Sequence, residues 1–315
     1  MKRYITIDGG TTNTRISMVC DGNIVTTLKM NLGARSCGEN IEEYKSALKC
    51  KIEEIIDKNQ CSSSDVICVI ASGMITSELG LFPLEHLVVP VGISELNAGM
   101  VETAISDVTD IPFVFIRGIK TSCENLECAD MMRGEEAETI GVASENDDDC
   151  IYMLMGSHSK IIKTDENGRI VSFSTMLTGE LTESVANHTI LKNSVVFTDE
   201  DADIEYLKKG YEYCKKRGIN ETLFKTRILK NLFGESDNAV YSFFMGAILC
   251  GEIEYVLKEN PKKVVVGGNK KLRETVSVLL DEYFNGKIVC LSDERVEKAN
   301  AMGMVKIFEY DKNIG

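Results

Sequence analysis

The strongest constraint on the fold is an order of elements that occurs twice, once in each half of the chain. In the first half, apolar alternation predicts a strand over residues 3–7, and a Gly/Thr/Asn turn follows over 8–13. A second strand spans Thr14–Cys20, the Asp21-Gly22-Asn23 turn follows, and a third strand covers 24–30. A helix then fits 39–59, with Ile41, Tyr44, Leu48, Ile52, Ile55 and Ile56 on one face. The apolar run over 66–71 suits a buried strand with parallel neighbours. The second half starts again with a strand over Cys150–Met155, bounded upstream by the acidic run at 147–149. The polar turn Gly156-Ser157-His158-Ser159, a strand over 160–163, a turn over 165–168 and a strand over 169–176 succeed it. A helical stretch over about 237–258 and a strand over 263–266, running into Gly267-Gly268-Asn269, complete the series. The match is in element order, not in residue identity. It predicts an α/β protein of two lobes, 1–148 and 149–315, with the two polar turns on opposite walls of a cleft. Helices over about 196–232 read as an insertion in the second lobe, and a helix over 295–309 closes the chain.

The charge balance narrows the partners. With 35 basic and 49 acidic residues the net charge is −14. Such a surface repels phosphodiester backbones and anionic lipid heads, so neither a nucleic acid nor a membrane is expected as partner. No run approaches the roughly 20 apolar residues of a membrane span, and Met-Lys-Arg leads straight into a strand without an apolar signal core. A cytoplasmic location is the expectation. The 11 cysteines are scattered, with Cys123 and Cys128 the closest pair, which reads as reduced thiols. Only His86, His158 and His188 could supply imidazole to a zinc site, so none is expected.

Several segments carry chemistry. In Asp8-Gly9-Gly10-Thr11-Thr12-Asn13-Thr14-Arg15, two glycines let backbone amides approach an anion, and Thr11, Thr12 and Asn13 add short donors. Asp8, at a strand end, could hold Mg²⁺ directly or through water; a plain hairpin capped by an aspartate fits the same residues. Gly156, Ser157, His158, Ser159 and Lys160 occupy the matching turn, where small donors and a lysine suit a nucleotide phosphate. Gly267, Gly268 and Asn269 allow a close approach of backbone to an adenosine, or simply a strand-to-helix turn. Met132-Arg133-Gly134-Glu135-Glu136 puts two carboxylates in a first helical turn, in a helical run extending to Ser144. Adjacent helical residues face about 100° apart, so only one of Glu135 and Glu136 can point at a substrate hydroxyl. Thr178-Gly179-Glu180 reads as a helix start, and Ser72-Gly73-Met74 sits where ligand loops of parallel sheets lie.

Together these segments resemble the 2-keto-3-deoxygalactonate kinases (2-dehydro-3-deoxygalactonokinases) of the actin-like, hexokinase-like and Hsp70-like ATPase superfamily. The resemblance rests on IDGGTTNTR from Ile7, ASGM from Ala71, MMRGEEAETIG from Met131, LMGSHSK from Leu154 and MLTGEL from Met176. It implies two RNase H-like lobes and ATP-dependent phosphorylation of the terminal C6 hydroxyl of a 2-keto-3-deoxy sugar acid, with ATP and Mg²⁺ as cofactors. By similarity, Asp8 through Arg15 form the first phosphate loop, Gly156 through Lys160 the second, and Gly267 through Asn269 the adenosine side. The general base falls in the Arg133–Glu136 region: Glu135 first, with Glu136 or Asp8 as alternates. Arg35, Arg117 and Arg133 are the cations offered to the substrate carboxylate, with Ser72, Gly73, Met74, Gly179 and Glu180 on the substrate side. The partner is then a small sugar acid, and a homodimer stays open as the assembly. The rival reading is a non-catalytic sugar-acid or nucleotide sensor on the same fold.

Overall fold

The computed structural model describes residues 1–122, 124–143 and 149–313. Cys123, Ser144 and the acidic Asp147 and Asp148 fall outside these described residues. The chain divides into two compact units. The first comprises Met1–Asp147, Asp165–Ser172 and Asp293–Gly315; the second comprises Asp148–Thr164 and Phe173–Ser292.

In unit 1 the first three strands form as expected: β1 (Arg3–Gly9), β2 (Thr14–Cys20) and β3 (Asn23–Met30). The helix expected over 39–59 is α2 (Ile41–Lys58), and a short helix that the sequence did not suggest, α1 (Ala34–Glu39), precedes it. Asn40 separates them because its extended backbone lets its side chain accept from the Glu43 amide at 3.3 Å, a cap worth about 1 kcal/mol. Tyr44, Leu48, Ile52 and Ile55 are the buried face of α2, each side chain contributing about 1.5–3 kcal/mol by leaving water. Strand β4 (Cys68–Gly73) is buried along its length. The chain continues through β5 (Leu87–Val88), α3 (Ile93–Ala98), β6 (Val101–Ile105), β7 (Thr109–Phe115), β8 (Ile119–Lys120), β9 (Met131–Met132) and α4 (Glu135–Val142). The main sheet has the order β3-β2-β1-β4-β7-β6, antiparallel from β3 to β1 and parallel from β1 through β4 to β7. A three-stranded sheet, β5-β8-β9, stands beside it in the chain.

Unit 2 repeats the arrangement. Strands β10 (Cys150–Met155), β11 (Ser159–Thr164), β12 (Ile170–Met176), β13 (Lys263–Gly268) and β14 (Ile288–Cys290) give the order β12-β11-β10-β13-β14. Strands β10 and β11 are antiparallel, and β10, β13 and β14 are parallel. Both sheets have the three-antiparallel-then-parallel plan of the RNase H-like, actin-like ATPase fold, as the doubled element order led us to expect. The helices of this unit are α5 (Thr178–His188), α6 (Ile204–Arg217), α7 (Ile219–Ile228), α8 (Asp237–Ile248), α9 (Cys250–Glu259) and α10 (Lys270–Phe284). The helix expected over 237–258 is broken at Leu249 into α8 and α9, bent by 46°. Among the described residues no single helix is long and apolar enough to cross a membrane, and the apolar α8 is the buried centre of this unit.

Two segments depart from a division at residue 148: Asp165–Ser172, which holds the start of β12, and the closing helix, Asp293–Glu309, are part of unit 1, and Met304 and Ile307 of that helix are fully buried. The closing helix lies directly against α4. A Cβ on Gly141 would fall 1.8 Å from the Ala299 carbonyl oxygen, and one on Gly303 would fall 1.8 Å from that of Ala137. Only hydrogen at these two positions lets the helices touch. Gly141→Ala or Gly303→Ala should therefore destabilise the protein by about 1–3 kcal/mol or more, read as a lowered urea midpoint. An unchanged midpoint would show that the two helices separate without penalty.

Candidate active site

The C-terminal ends of β1 and β4 bring the first set of residues together. Asp8 pairs across the ladder with Arg15 on β2 and with Ser72 on β4, so the three form one row on the sheet. Asp8 is partly buried. Burial raises its carboxyl above the ordinary range, and the Arg15 guanidinium pulls it back. Ser72 is wholly buried, and its Oγ has no hydrogen-bond partner among the described residues. The loop beyond β1 closes with the Gly10 amide on the Asn13 carbonyl at 2.9 Å, leaving Thr11, Thr12 and Asn13 exposed. The Ala34 and Arg35 amides brace the loop from behind by donating to the Gly10 and Thr11 carbonyls, each at 3.0 Å.

Helix α4 starts at the same place. Gly73 has φ +88° and Gly134 has φ +107°, conformations that side chains resist, and a Cβ on Gly134 would lie 3.3 Å from the Gly73 Cα. The backbone turn at Gly134 decides which carboxylate faces where. Glu136 is fully buried, and both its oxygens accept from the Gly134 amide, at 2.9 and 2.8 Å. Burial, aided by the neighbouring Glu135 charge, pushes its carboxyl up to about 8. Glu135 stays partly exposed. Glu138, which the sequence reading did not single out, belongs to the same charge network. Burial, then Glu135 and Asp8, raise it to about 8, against Arg15. Its three-residue spacing from Glu135 puts both on one helix face, which was the available signal. Asn300, on the closing helix, donates from Nδ2 to the Gly134 carbonyl at 3.1 Å. Among the described residues no three His, Cys, Asp or Glu side chains are grouped to hold a metal ion.

The three candidate arginines divide by what they already hold. Arg133 donates to Thr76 Oγ1 at 3.0 Å and to the Leu84 carbonyl at 2.7 Å, and its Nη2 lies 3.4 Å from His86 Nδ1. Arg117 donates to the Gly99 carbonyl at 2.9 Å and the Glu85 carbonyl at 3.4 Å. Arg35 is exposed on α1, next to the first loop. Met74, partly buried, opens the short turn after β4, where its carbonyl accepts from Ser77.

Unit 2 gathers a second set. The turn after β10 is tied by the Gly156 amide to Ser159 Oγ at 3.2 Å, with Ser159 fully buried. His158 Nε2 lies 2.9 Å from Glu180 Oε2, both side chains half exposed. The Gly179 amide donates to the Gly156 and Ser157 carbonyls, each at 3.1 Å, and the Glu180 amide to the Ser157 carbonyl at 3.2 Å. The end of β13 lies alongside: Met155 pairs with Gly268, and the Asn269 amide donates to the Met155 carbonyl at 2.6 Å. Asn269 itself caps α10, accepting from the Leu272 amide at 3.2 Å.

Gly179 and Glu180 sit in unit 2 under the second turn, because α5 begins where β12 ends beside it. One expectation about this set changes. Lys160, assigned to the phosphate, is buried within β11, and its ammonium donates to Thr175 Oγ1 at 2.8 Å. The strand has both faces covered, so a lysine at its second position is drawn inward rather than toward the turn.

A family model described as 2-keto-3-deoxy-galactonokinase matches residues 8–306. DgoK1 of Rhizobium meliloti (strain 1021), designated a 2-dehydro-3-deoxygalactonokinase, is 28% identical over 199 residues, covering 62% of this chain and 60% of that protein's length. The 2-dehydro-3-deoxygalactonokinase of Escherichia coli (strain K12) is 26% identical over 274 residues, covering 84% of this chain and 85% of the relative. The crystal structure of a Sinorhizobium meliloti protein designated for the same kinase has a TM-score of 0.82 at 18% identity, over 98% of this chain and 99% of that one, and so has the same fold. The matched span includes the turns after β1 and β10, the start of α4 and nearly all of the closing helix. The chain therefore belongs to the 2-keto-3-deoxy-galactonokinase family.

Proposed function

We propose that this protein transfers the γ-phosphoryl group of ATP to the terminal hydroxyl of a 2-keto-3-deoxy sugar acid, with 2-dehydro-3-deoxygalactonate as the acid. The observation that carries the reading is the convergence of Asp8, Ser72, Gly73 and the Glu135 end of α4 at the C-terminal ends of parallel strands, where α/β sheets place ligands. Phosphoryl transfer needs positioning and charge neutralisation more than covalent chemistry. The Gly9–Thr12 backbone and the Gly156–Ser159 turn supply amides and hydroxyls for phosphate oxygens. Glu135 takes the hydroxyl proton, since Glu136 is enclosed and already accepts the Gly134 amide twice. Arg35 meets the substrate carboxylate, because Arg117 and Arg133 are already committed to backbone carbonyls.

The residues present fit a hydrated Mg²⁺: Asp8 offers a carboxylate, and the buried, unpartnered Ser72 hydroxyl beside it can hold a coordinated water. Bound there, the ion would neutralise charge on the β- and γ-phosphates. The reaction takes place in the cytoplasm on this reading.

A coupled ADP-release screen tests the proposal, with 2-keto-3-deoxy acids of galactonate and gluconate type as substrates and neutral hexoses as controls. ADP release dependent on a keto-deoxy acid is the expected result. A higher kcat/KM for glucose than for every acid tested would overturn the substrate class. Tight binding of acid and ATP with no turnover would point instead to a sensor.

A further inference from the structure

Glu252 is a buried carboxyl that the proposed mechanism does not use. It lies in the first turn of α9, just past the break with α8, and is 3% exposed. Among the described residues it forms no ion pair. Burial pushes its carboxyl up, and the hydrogen bond from Thr178 opposes that shift. A carboxyl enclosed without a cation stabilises a core poorly, and an apolar side chain of similar size would pack there at less cost. Its side-chain partner is the hydroxyl of Thr178, 74 residues away in sequence and 2% exposed, whose Oγ1 donates to Glu252 Oε1.

Thr178 is the first residue of α5, and the next two residues carry the second turn. The Gly179 amide reaches the Gly156 and Ser157 carbonyls, and the Glu180 amide reaches the Ser157 carbonyl. The contact is tight, for a Cβ on Gly179 would stand 2.7 Å from the Gly156 carbonyl oxygen. A shift in the start of α5 therefore passes to the backbone of Gly156 and Ser157 without slack. We propose that Glu252 is a positioning residue, fixing the start of α5 through Thr178 and so holding the Gly156–Ser159 turn in shape for a nucleotide phosphate. The inference rests on the reading of that turn as a phosphate site.

The test is steady-state kinetics well below each variant's melting temperature, with Glu252→Leu, Glu252→Gln, Thr178→Val, the Glu252→Leu/Thr178→Val double variant and Gly179→Ala. Glu252→Leu and Thr178→Val should each raise KM for ATP about tenfold, the scale of one lost hydrogen bond to a carboxyl. KM for the sugar acid should stay within twofold. Glu252→Gln keeps an acceptor oxygen and should restore near-normal KM for ATP. The double variant should be no worse than the more affected single variant, because both remove one interaction. Additive effects would overturn the inference, as would single variants with normal KM for ATP and only a lowered melting temperature. Thr178→Val is nearly isosteric and carries the test if Glu252→Leu does not fold. Gly179→Ala separates the two levels. If it leaves KM for ATP unchanged, the turn is not a phosphate site and the underlying reading falls. If it raises KM while the Glu252 and Thr178 variants are silent, only the positioning role falls.

Discussion

Asp8→Asn should lower kcat by about 10²–10³ while leaving the fold at least as stable as before. On the proposed reading, asparagine keeps the shape of the side chain but offers Mg²⁺ a neutral ligand in place of a carboxylate, so the ion that would neutralise the phosphates is held less well and the loss falls on the transition state. The stability half follows from burial. The Asp8 carboxyl is raised in the folded protein, with burial outweighing Arg15. A raised carboxyl favours folding only below its unfolded value, and that contribution is lost as pH rises through the folded value. At neutral pH the buried charge is thus unfavourable, and asparagine removes it. The melting temperature of the metal-free variant at pH 7.5 should equal or exceed that of the parent. Near-normal kcat in a folded variant would reduce Asp8 to a turn cap. A lowered melting temperature would show that its pairing with Arg15 outweighs its burial.

Glu135→Gln should lower kcat by about 10²–10⁴, the usual range for losing a general base, with little change in KM for ATP. The adjacent Glu136→Gln should be milder. Its side chain points about 100° away on the helix, and a glutamine oxygen can still accept from the Gly134 amide. If Glu136→Gln is the more damaging, the base is one residue later than proposed. If neither matters, both carboxylates serve only the helix start.

The parts legible in sequence were those with a local signature. Strands β2 and β10 lie where their apolar runs and bounding turns placed them. Asn40 carried a capping signal that would have started the helix expected over 39–59 at Ile41, and α1, only 6 residues long, is too short to show a period. The two-residue strands β5, β8 and β9 have no period to read, and β6 meets β7 across Ser106-Asp107-Val108, which lacks a glycine or asparagine hairpin signal. In the site, the glycine turns themselves could be read from composition alone. Which of Glu135 and Glu136 is enclosed could not, because it depends on the phase of α4, and Gly134 at φ +107° sets that phase. Lys160 misled for a similar reason: adjacency to a polar turn suggested a phosphate ligand, but its strand is covered on both faces. The Thr178–Glu252 bond joins helices too far apart in sequence for any local pattern to reveal.

The closing helix has a consequence for how the protein is made. Unit 1 begins at the first residue, yet its α4 surface stays uncovered until residues 293–309 have been synthesised. Between the end of α4 at Val142 and the start of that helix at Asp293, the ribosome must add about 150 residues, roughly 8–30 s at 5–20 residues per second. During that interval the whole of unit 2 is synthesised. The usual order, in which the N-terminal domain of a nascent chain is complete first, is thereby inverted: the sequence of unit 2 is complete before that of unit 1.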